Sequence, residues 1–309
     1  MIICFDDVFH QHVNNIDTIY LSSKEECRLD YFEKAQGIIV RLGIVLDQKF
    51  LQQFKNLKFV ATVTTGLDHI DVSYCQSKQV KVFSLKGEIE FLETIRSTPE
   101  HTWGLILALM RKTPAAVNSV SHGEWNRKLF VGNELIGKTI GILGFGRVGK
   151  ILAKYAHAFD MKVLATEIDP GKCQHEFVNF VELERLLSES DIFIVAMSLE
   201  EGTKNFIRKE HFQRMKKKPW FINTARGAII DEGALLNALE TGIIKGAALD
   251  VLADENSFCE ATKFSSHPLV DYMKNHENLL ITPHIAGTSS EAMIRTAQFI
   301  GDKIRSLHV

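Results

Sequence analysis

The chain has 309 residues, 45% hydrophobic and 24% charged, with a formal net charge of −2 at neutral pH. That length predicts two domains, each able to bury a core, and the balanced charge excludes the basic footprint of a nucleic-acid or anionic-membrane binder. The longest apolar stretch, residues 103–110, falls well short of the ~20 residues a membrane helix needs.

In chain order, short apolar runs at residues 2–5, 37–40, 59–63 and 80–83 predict four parallel strands, with helical periodicity at 48–54 and 71–79. A long helix is expected from Ser97 to about Arg111 and is expected to bridge two domains. Its start, Ser97-Thr98-Pro99-Glu100, offers a hydroxyl cap, an early proline and a glutamate three residues on. After an irregular arm over residues 122–137, strands are expected near 140–143, 162–166, 191–197, 219–224, 246–251 and 278–282, separated by helical patterns such as 147–159, 181–187 and 231–239. Six strands alternating with helices predict a doubly wound parallel sheet, so the fold class is α/β throughout. The start lacks a basic region and turns acidic, so no secretory signal is expected. Cys4, Cys27, Cys75, Cys173 and Cys259 are scattered, odd in number and without paired spacing, which predicts no disulfide frame, no metal site and a reducing cytoplasm. Lys216-Lys217-Lys218 reads as a solvated helix end.

The most informative segment is Gly144-Phe145-Gly146-Arg147-Val148-Gly149, because a strand precedes it and a helix follows. Gly144 permits a sharp turn, Gly146 removes a Cβ that would block a pyrophosphate, and Gly149 lets the helix lie close to the sheet. The diphosphate is expected on the N–H groups of the helix's first turn, with Arg147 adding charge. Glu167 ends the next strand, where an acid accepts from ribose hydroxyls and repels a 2′-phosphate. NAD is therefore expected over NADP, with Asp169 a second candidate for the ribose contact.

Ligands of such sheets bind outside the carboxyl ends of the strands. Three charged or titratable residues stand just past expected strand ends: Arg226, Glu255 and His284. A guanidinium fork can hold a substrate carboxylate and polarise a ketone oxygen. An imidazole can exchange the proton of the resulting hydroxyl, and a carboxylate beside it stabilises its charged form and fixes which ring nitrogen faces the substrate.

With those residues identified, the chain resembles the D-isomer-specific 2-hydroxyacid dehydrogenase family over nearly its full length. The blocks that carry the resemblance are Thr64-Thr65-Gly66-Leu67-Asp68-His69-Ile70-Asp71, the glycine segment, Asn223-Thr224-Ala225-Arg226-Gly227 with Asp231-Glu232-Gly233-Ala234-Leu235, residues 250–255, and Thr282-Pro283-His284-Ile285-Ala286-Gly287. The resemblance implies two Rossmann-like domains: residues 1–104 with 285–309 as a flavodoxin-like substrate (catalytic) domain, and 105–284 as an NAD-binding Rossmann domain. It implies catalysis by Arg226, Glu255 and His284. Implied NAD contacts are Thr65, Gly144, Gly146, Arg147, Val148, Gly149, Glu167, Met197, Thr224, Ala225, Arg226, Asp250, His284 and Gly287. Implied substrate contacts are Arg41, Thr64, Thr65, Gly66, Arg127 and Arg226.

Within the family, the arm at residues 123–135 is most similar to phosphoglycerate dehydrogenases. Arg41 and Arg127 match basic positions used there around a substrate phosphate, whereas Thr62 stands where those enzymes usually carry another arginine. Residues 86–96 form a longer connection than usual, Met197-Ser198 replaces a polar residue and proline, and Asn256 replaces the proline that commonly follows the glutamate. No regulatory tail is expected after Val309. The resulting expectation is a cytoplasmic, NAD-dependent, homodimeric dehydrogenase acting on a small D-2-hydroxy acid and its 2-keto acid, a phosphoglycerate-like acid among the candidates, with no nucleic-acid or membrane partner. Two rivals are an NAD(H)-sensing interaction module like the C-terminal binding proteins and a phosphite-type dehydrogenase. Formate-type oxidation is disfavoured, since those enzymes carry glutamine where Glu255 stands.

Overall fold

The computed structural model describes residues 1–169, 174–255 and 266–306, so Cys173, Asn256 and Cys259 lie outside the described residues. The chain forms two compact units, one of Met1–Ile95 with the chain from Gly287 onward, the other of Arg96–Glu255 with the chain leading to Ala286.

The first unit is a five-stranded parallel sheet of β1 (Ile2–Cys4), β2 (Thr18–Tyr20), β3 (Gly37–Val40), β4 (Phe59–Thr62) and β5 (Lys81–Phe83), in the order β2-β1-β3-β4-β5. This is the flavodoxin-like strand order. Alternate side chains serve opposite faces: Ile3, Ile38 and Val60 pack with Phe50 and Phe54, while Cys4, Ile39, Phe59 and Ala61 pack with Ala297, Ile300 and Ile304. Burial on both faces is why these strands read as unbroken apolar runs. The edge strand β2 is too short and too polar to show such a run, which is why four strands were expected and five are present. Residues 86–96 hold a short helix, Ile89–Glu93, tied to the last helix, Ser290–Arg305. Phe91 stacks on Phe299 with ring centroids 4.1 Å apart, Glu88 pairs with Lys303, and Thr94 accepts from Arg295.

The second unit is a seven-stranded parallel sheet of β6 (Thr139–Leu143), β7 (Lys162–Thr166), β8 (Val178–Phe180), β9 (Ile192–Val195), β10 (Trp220–Asn223), β11 (Gly246–Leu249) and β12 (Leu279–Ile281), in the order β12-β11-β10-β9-β6-β7-β8. Six strands were expected; β8, with the single partly buried pair Val178 and Phe180, carries too weak a pattern to announce itself. Helices Ser97–Met110 and Arg147–Ala158 place Ile106, Met110, Leu152 and Ala153 in one core with Ile140, Ile142, Ile194 and Ile222. The helix at Ser97 does not use its expected cap. Its N-cap is Arg96 without a side-chain hydrogen bond, and Ser97 Oγ donates instead to the Ala286 carbonyl at 2.8 Å. Among the described residues no helix is long and apolar enough to cross a membrane.

Candidate active site

Strand register brings the functional loops into one row. Thr166, Leu143, Val195, Asn223, Leu249 and Ile281 are successive cross-strand partners at the carboxyl edge of the second sheet. Glu167 and Gly144 follow that row by one residue, Met197 by two, Arg226 and His284 by three and Glu255 by six. Neighbouring strands are ~4.8 Å apart, so residues far apart in sequence share one edge.

The glycine elbow has the three properties a dinucleotide requires. Gly144 adopts φ +93, and a Cβ there would lie 2.8 Å from the Met197 backbone; a Cβ on Gly149 would lie 2.5 Å from the Gly144 carbonyl oxygen. Both are held tight against the protein. Around Gly146 nothing lies within 4 Å of an added Cβ, which leaves open the side on which a pyrophosphate would lie. Gly146 is also the N-cap of helix Arg147–Ala158 and brings no side chain to its first turn, so backbone N–H groups and the dipole are available to an anion. Burial first, and then neighbouring Arg96, lower the Arg147 guanidinium from its ordinary range, a strain that an anion relieves. The Glu167 carboxylate accepts from Phe145 N at 2.8 Å and from Ile168 N at 2.9 Å, fixing the acid beside the elbow. Asp169 is exposed on the same turn. These features fit NAD.

The arginine loop is shaped by Asn223, a fully buried residue that sequence reasoning passed over. Its Oδ1 accepts from Ala225 N at 3.0 Å and its Nδ2 donates to the Arg226 carbonyl at 2.9 Å, turning the chain just past β10. Half-buried Arg226 donates to the Ala225 carbonyl at 2.8 Å. Thr224 is buried with its hydroxyl 2.8 Å from Thr102. Gly227 lies so close to the next loop that a Cβ would stand 2.0 Å from the Leu252 carbonyl carbon, which locks the arginine loop to the loop carrying Glu255.

Glu255 and His284 meet as expected, with Oε1 2.6 Å from Nδ1 and both side chains about one-fifth exposed. Each sits on a left-handed turn: Asp254 has φ +56 and His284 itself φ +53, a conformation that costs a non-glycine residue ~1–3 kcal/mol. Asp250 meets that cost. It is fully buried, its carbonyl accepts from His284 N at 2.8 Å, and its carboxylate accepts from Ile285 N at 2.9 Å, Ala286 N at 2.7 Å and Thr282 Oγ1 at 2.5 Å. On the other loop, Glu232 accepts from Ala253 N at 2.7 Å and lies 3.3 Å from His267 Nε2; burial raises the Glu232 carboxyl above its ordinary range, against the lowering contact of Ala253.

Of the remaining expected site residues, Arg127 is exposed in the 3-10 turn Arg127–Phe130 of the second unit, and Val148 is partly buried against the core. Arg41, Thr64, Thr65, Gly66 and Gly287 belong to the first unit. Arg41 Nε is 2.7 Å from the fully buried Asp6 carboxylate. Thr62 is buried, its hydroxyl 2.9 Å from Thr64 Oγ1 and 3.1 Å from His69 Nε2, and Thr64 donates to the Gly66 carbonyl at 2.8 Å.

A flavodoxin-like unit, a Rossmann unit with a glycine elbow, and a histidine–carboxylate pair beside an arginine loop together define an α/β dinucleotide-binding protein. Residues 103–286 match the family model for the NAD binding domain of D-isomer specific 2-hydroxyacid dehydrogenases. The chain belongs to that family, and NAD is its cofactor. It is 36% identical over 273 residues to the D-3-phosphoglycerate dehydrogenase of Archaeoglobus fulgidus, across 88% of this chain and 49% of that one. It is 34% identical over 316 residues to the hydroxypyruvate reductase of Thermotoga maritima, across 96% of this chain and 97% of that one. The chain thus spans about half the length of the phosphoglycerate dehydrogenases it matches. Its fold is similar to that of a D-lactate dehydrogenase from Aquifex aeolicus solved with NAD and lactic acid, with TM-score 0.84 over 100% of this chain and 95% of that one, at 24% identity.

Proposed function

We propose that the chain interconverts a small D-2-hydroxy acid and its 2-keto acid by hydride transfer, with Arg226, Glu255 and His284 as the catalytic residues. The observation that carries this reading is the 2.6 Å contact between His284 Nδ1 and Glu255 Oε1. It commits the Nδ1 hydrogen to the carboxylate and leaves Nε2 for the substrate. Arg226 binds the substrate carboxylate and polarises the C2 oxygen. Bound NADH supplies the hydride that C2 receives. The His284 Nε2 proton goes to the C2 oxygen, leaving a neutral imidazole that takes the proton back in oxidation. Thr64, Thr65 and Gly66 are the proposed further contacts for the carboxylate, and Gly144, Gly146, Arg147, Gly149 and Glu167 those for the cofactor's pyrophosphate and ribose.

The substrate in this reading is unphosphorylated. Arg41, expected at a phosphate, already faces the Asp6 carboxylate at 2.7 Å, and Thr62 brings a hydroxyl engaged with Thr64 and His69 where a second cation is needed. At those two positions a phosphate dianion would meet a single arginine, one already paired with a carboxylate. We also propose a homodimer in the cytoplasm. Support for the dimer comes from the apolar side chains that residues 117–136 leave exposed, Val117, Val120, Leu129, Val131, Ile136 and above all Trp125 at 90%.

The test is NADH oxidation, followed by absorbance, with glyoxylate, hydroxypyruvate, pyruvate and 3-phosphohydroxypyruvate. Turnover on an unphosphorylated acid in preference to the phosphorylated one supports the reading. NADH binding without turnover on any of the four contradicts it, and NAD reduction by phosphite would favour that rival. Light scattering that gives a monomer mass would contradict the dimer.

A further inference from the structure

Helix Ser97–Met110 is largely apolar, and Trp103, Ile106, Leu109 and Met110 belong to the core of the second unit. Its first two turns carry five polar side chains, of which three, unused in the chemistry above, reach the arginine and histidine loops. Ser97 Oγ donates to the Ala286 carbonyl at 2.8 Å. His101 Nε2 lies 3.1 Å from Thr282 Oγ1 and 3.3 Å from Asp250 Oδ1, and Thr102 Oγ1 is 2.8 Å from Thr224 Oγ1. Ala286 and Thr282 are each two residues from His284, and Thr224 is two from Arg226. One helix face therefore grips both catalytic loops.

Counting hydrogens fixes the direction of the central contact. A threonine hydroxyl has one hydrogen, and that of Thr282 is spent on Asp250 Oδ1 at 2.5 Å. Its oxygen faces His101 as an acceptor, so the hydrogen between them sits on His101 Nε2. That donor reaches both Thr282 Oγ1 and Asp250 Oδ1, joining the Ile285 and Ala286 amides as support for the carboxylate. The cluster holds His284 at φ +53, which its own side chain disfavours.

We propose that His101 is a positioning residue for His284: its Nε2–H closes the Asp250–Thr282 cluster that keeps residues 282–286 in the backbone conformation placing the imidazole against Glu255. The catalytic consequence rests on the proposed dehydrogenase activity, whereas the backbone consequence does not.

Two amide variants separate the donor from mere polarity. His101→Gln carries an N–H to the place of Nε2, and His101→Asn is one methylene shorter and cannot. In His101→Asn, kcat falls by about 10-fold or more, since small misplacement of an acid–base group is that damaging. NADH affinity stays within about 3-fold, as the elbow is untouched, and His101→Gln restores the rate. Independently of turnover, hydrogen exchange at the Ile285 and Ala286 amides accelerates in His101→Asn and returns to the parent rate in His101→Gln. Parental exchange and kcat in His101→Asn would overturn the proposal, as would a His101→Gln variant as impaired as His101→Asn, or NADH affinity lost in step with rate. An enzyme reducing no 2-keto acid defeats the functional reading, while the exchange measurement still decides the positioning.

Discussion

Replacing Gly227 by alanine tests the joint between the two loops proposed to carry catalysis. The added Cβ would stand 2.0 Å from the Leu252 carbonyl carbon, 2.3 Å from Ala253 N and 2.4 Å from the Leu252 oxygen, all backbone atoms. Ordinary contact begins at 3.4 Å, so the loops must part by about 1.4 Å. Overpacking of this kind destabilises by ~1–3 kcal/mol. With ~2.1 cal/mol/K of unfolding entropy per residue in a unit of roughly 180 residues, the midpoint then falls by ~3–8 °C. The larger effect is catalytic: a displacement of ~1 Å between cooperating groups lowers the rate by ~100-fold. The assay pairs steady-state kcat on the preferred 2-keto acid with NADH titration by fluorescence. The expectation is a ~100-fold fall in kcat with NADH affinity within a few-fold of the parent. Parental kcat in a Gly227→Ala enzyme would refute the argument that this close approach sets the alignment of Arg226 with Glu255.

Gly149→Ala should act on the cofactor instead: its Cβ meets the Gly144 carbonyl oxygen at 2.5 Å, lifting the helix from the elbow, and titration should show NADH bound at least ~10-fold more weakly. Glu167→Ala removes the acceptor of the Phe145 and Ile168 amides and the charge that repels a 2′-phosphate, so paired Kd measurements should show weaker NADH binding and a smaller preference over NADPH. Burial, the leading cause, pushes the Cys4 thiol up to about 12 from 9.0. The folded state therefore holds that proton longer than the unfolded one, and the contribution is intact below pH 9.0 and lost as pH rises toward about 12. Thermal midpoints between pH 9 and 11 should fall less steeply for Cys4→Ala than for the parent; equal slopes would contradict the assignment.

What could be read in the sequence was whatever periodicity and strand ends record. The interior strands of both sheets announce themselves because both faces are covered, which makes them continuous apolar runs, while the edge strands β5 and β12 were read from shorter, partly buried runs. The edge strands β2 and β8 bury too little to leave that mark. The same logic applies to the site. Glu255 and His284 stand just past apolar runs, and their 2.6 Å contact was foreseeable as two strand ends on one edge. The residues that hold them were not. Asp250 and His101 act through residues 36 and 181 positions away, which no local pattern encodes, whereas Asn223 works only within its own turn. Ser97 shows the converse: its position before Pro99 is a helix-start signal, yet its hydroxyl serves the Ala286 carbonyl.

The central claim is that His284, oriented by Glu255, exchanges the proton of the C2 hydroxyl. His284→Asn, compared with the parent at saturating NADH and with NADH affinity measured on the same samples, tests it most directly. The account predicts a rate lower by ~10³-fold or more with NADH affinity nearly unchanged. A His284→Asn enzyme that reduces the keto acid at close to the parental rate would contradict it.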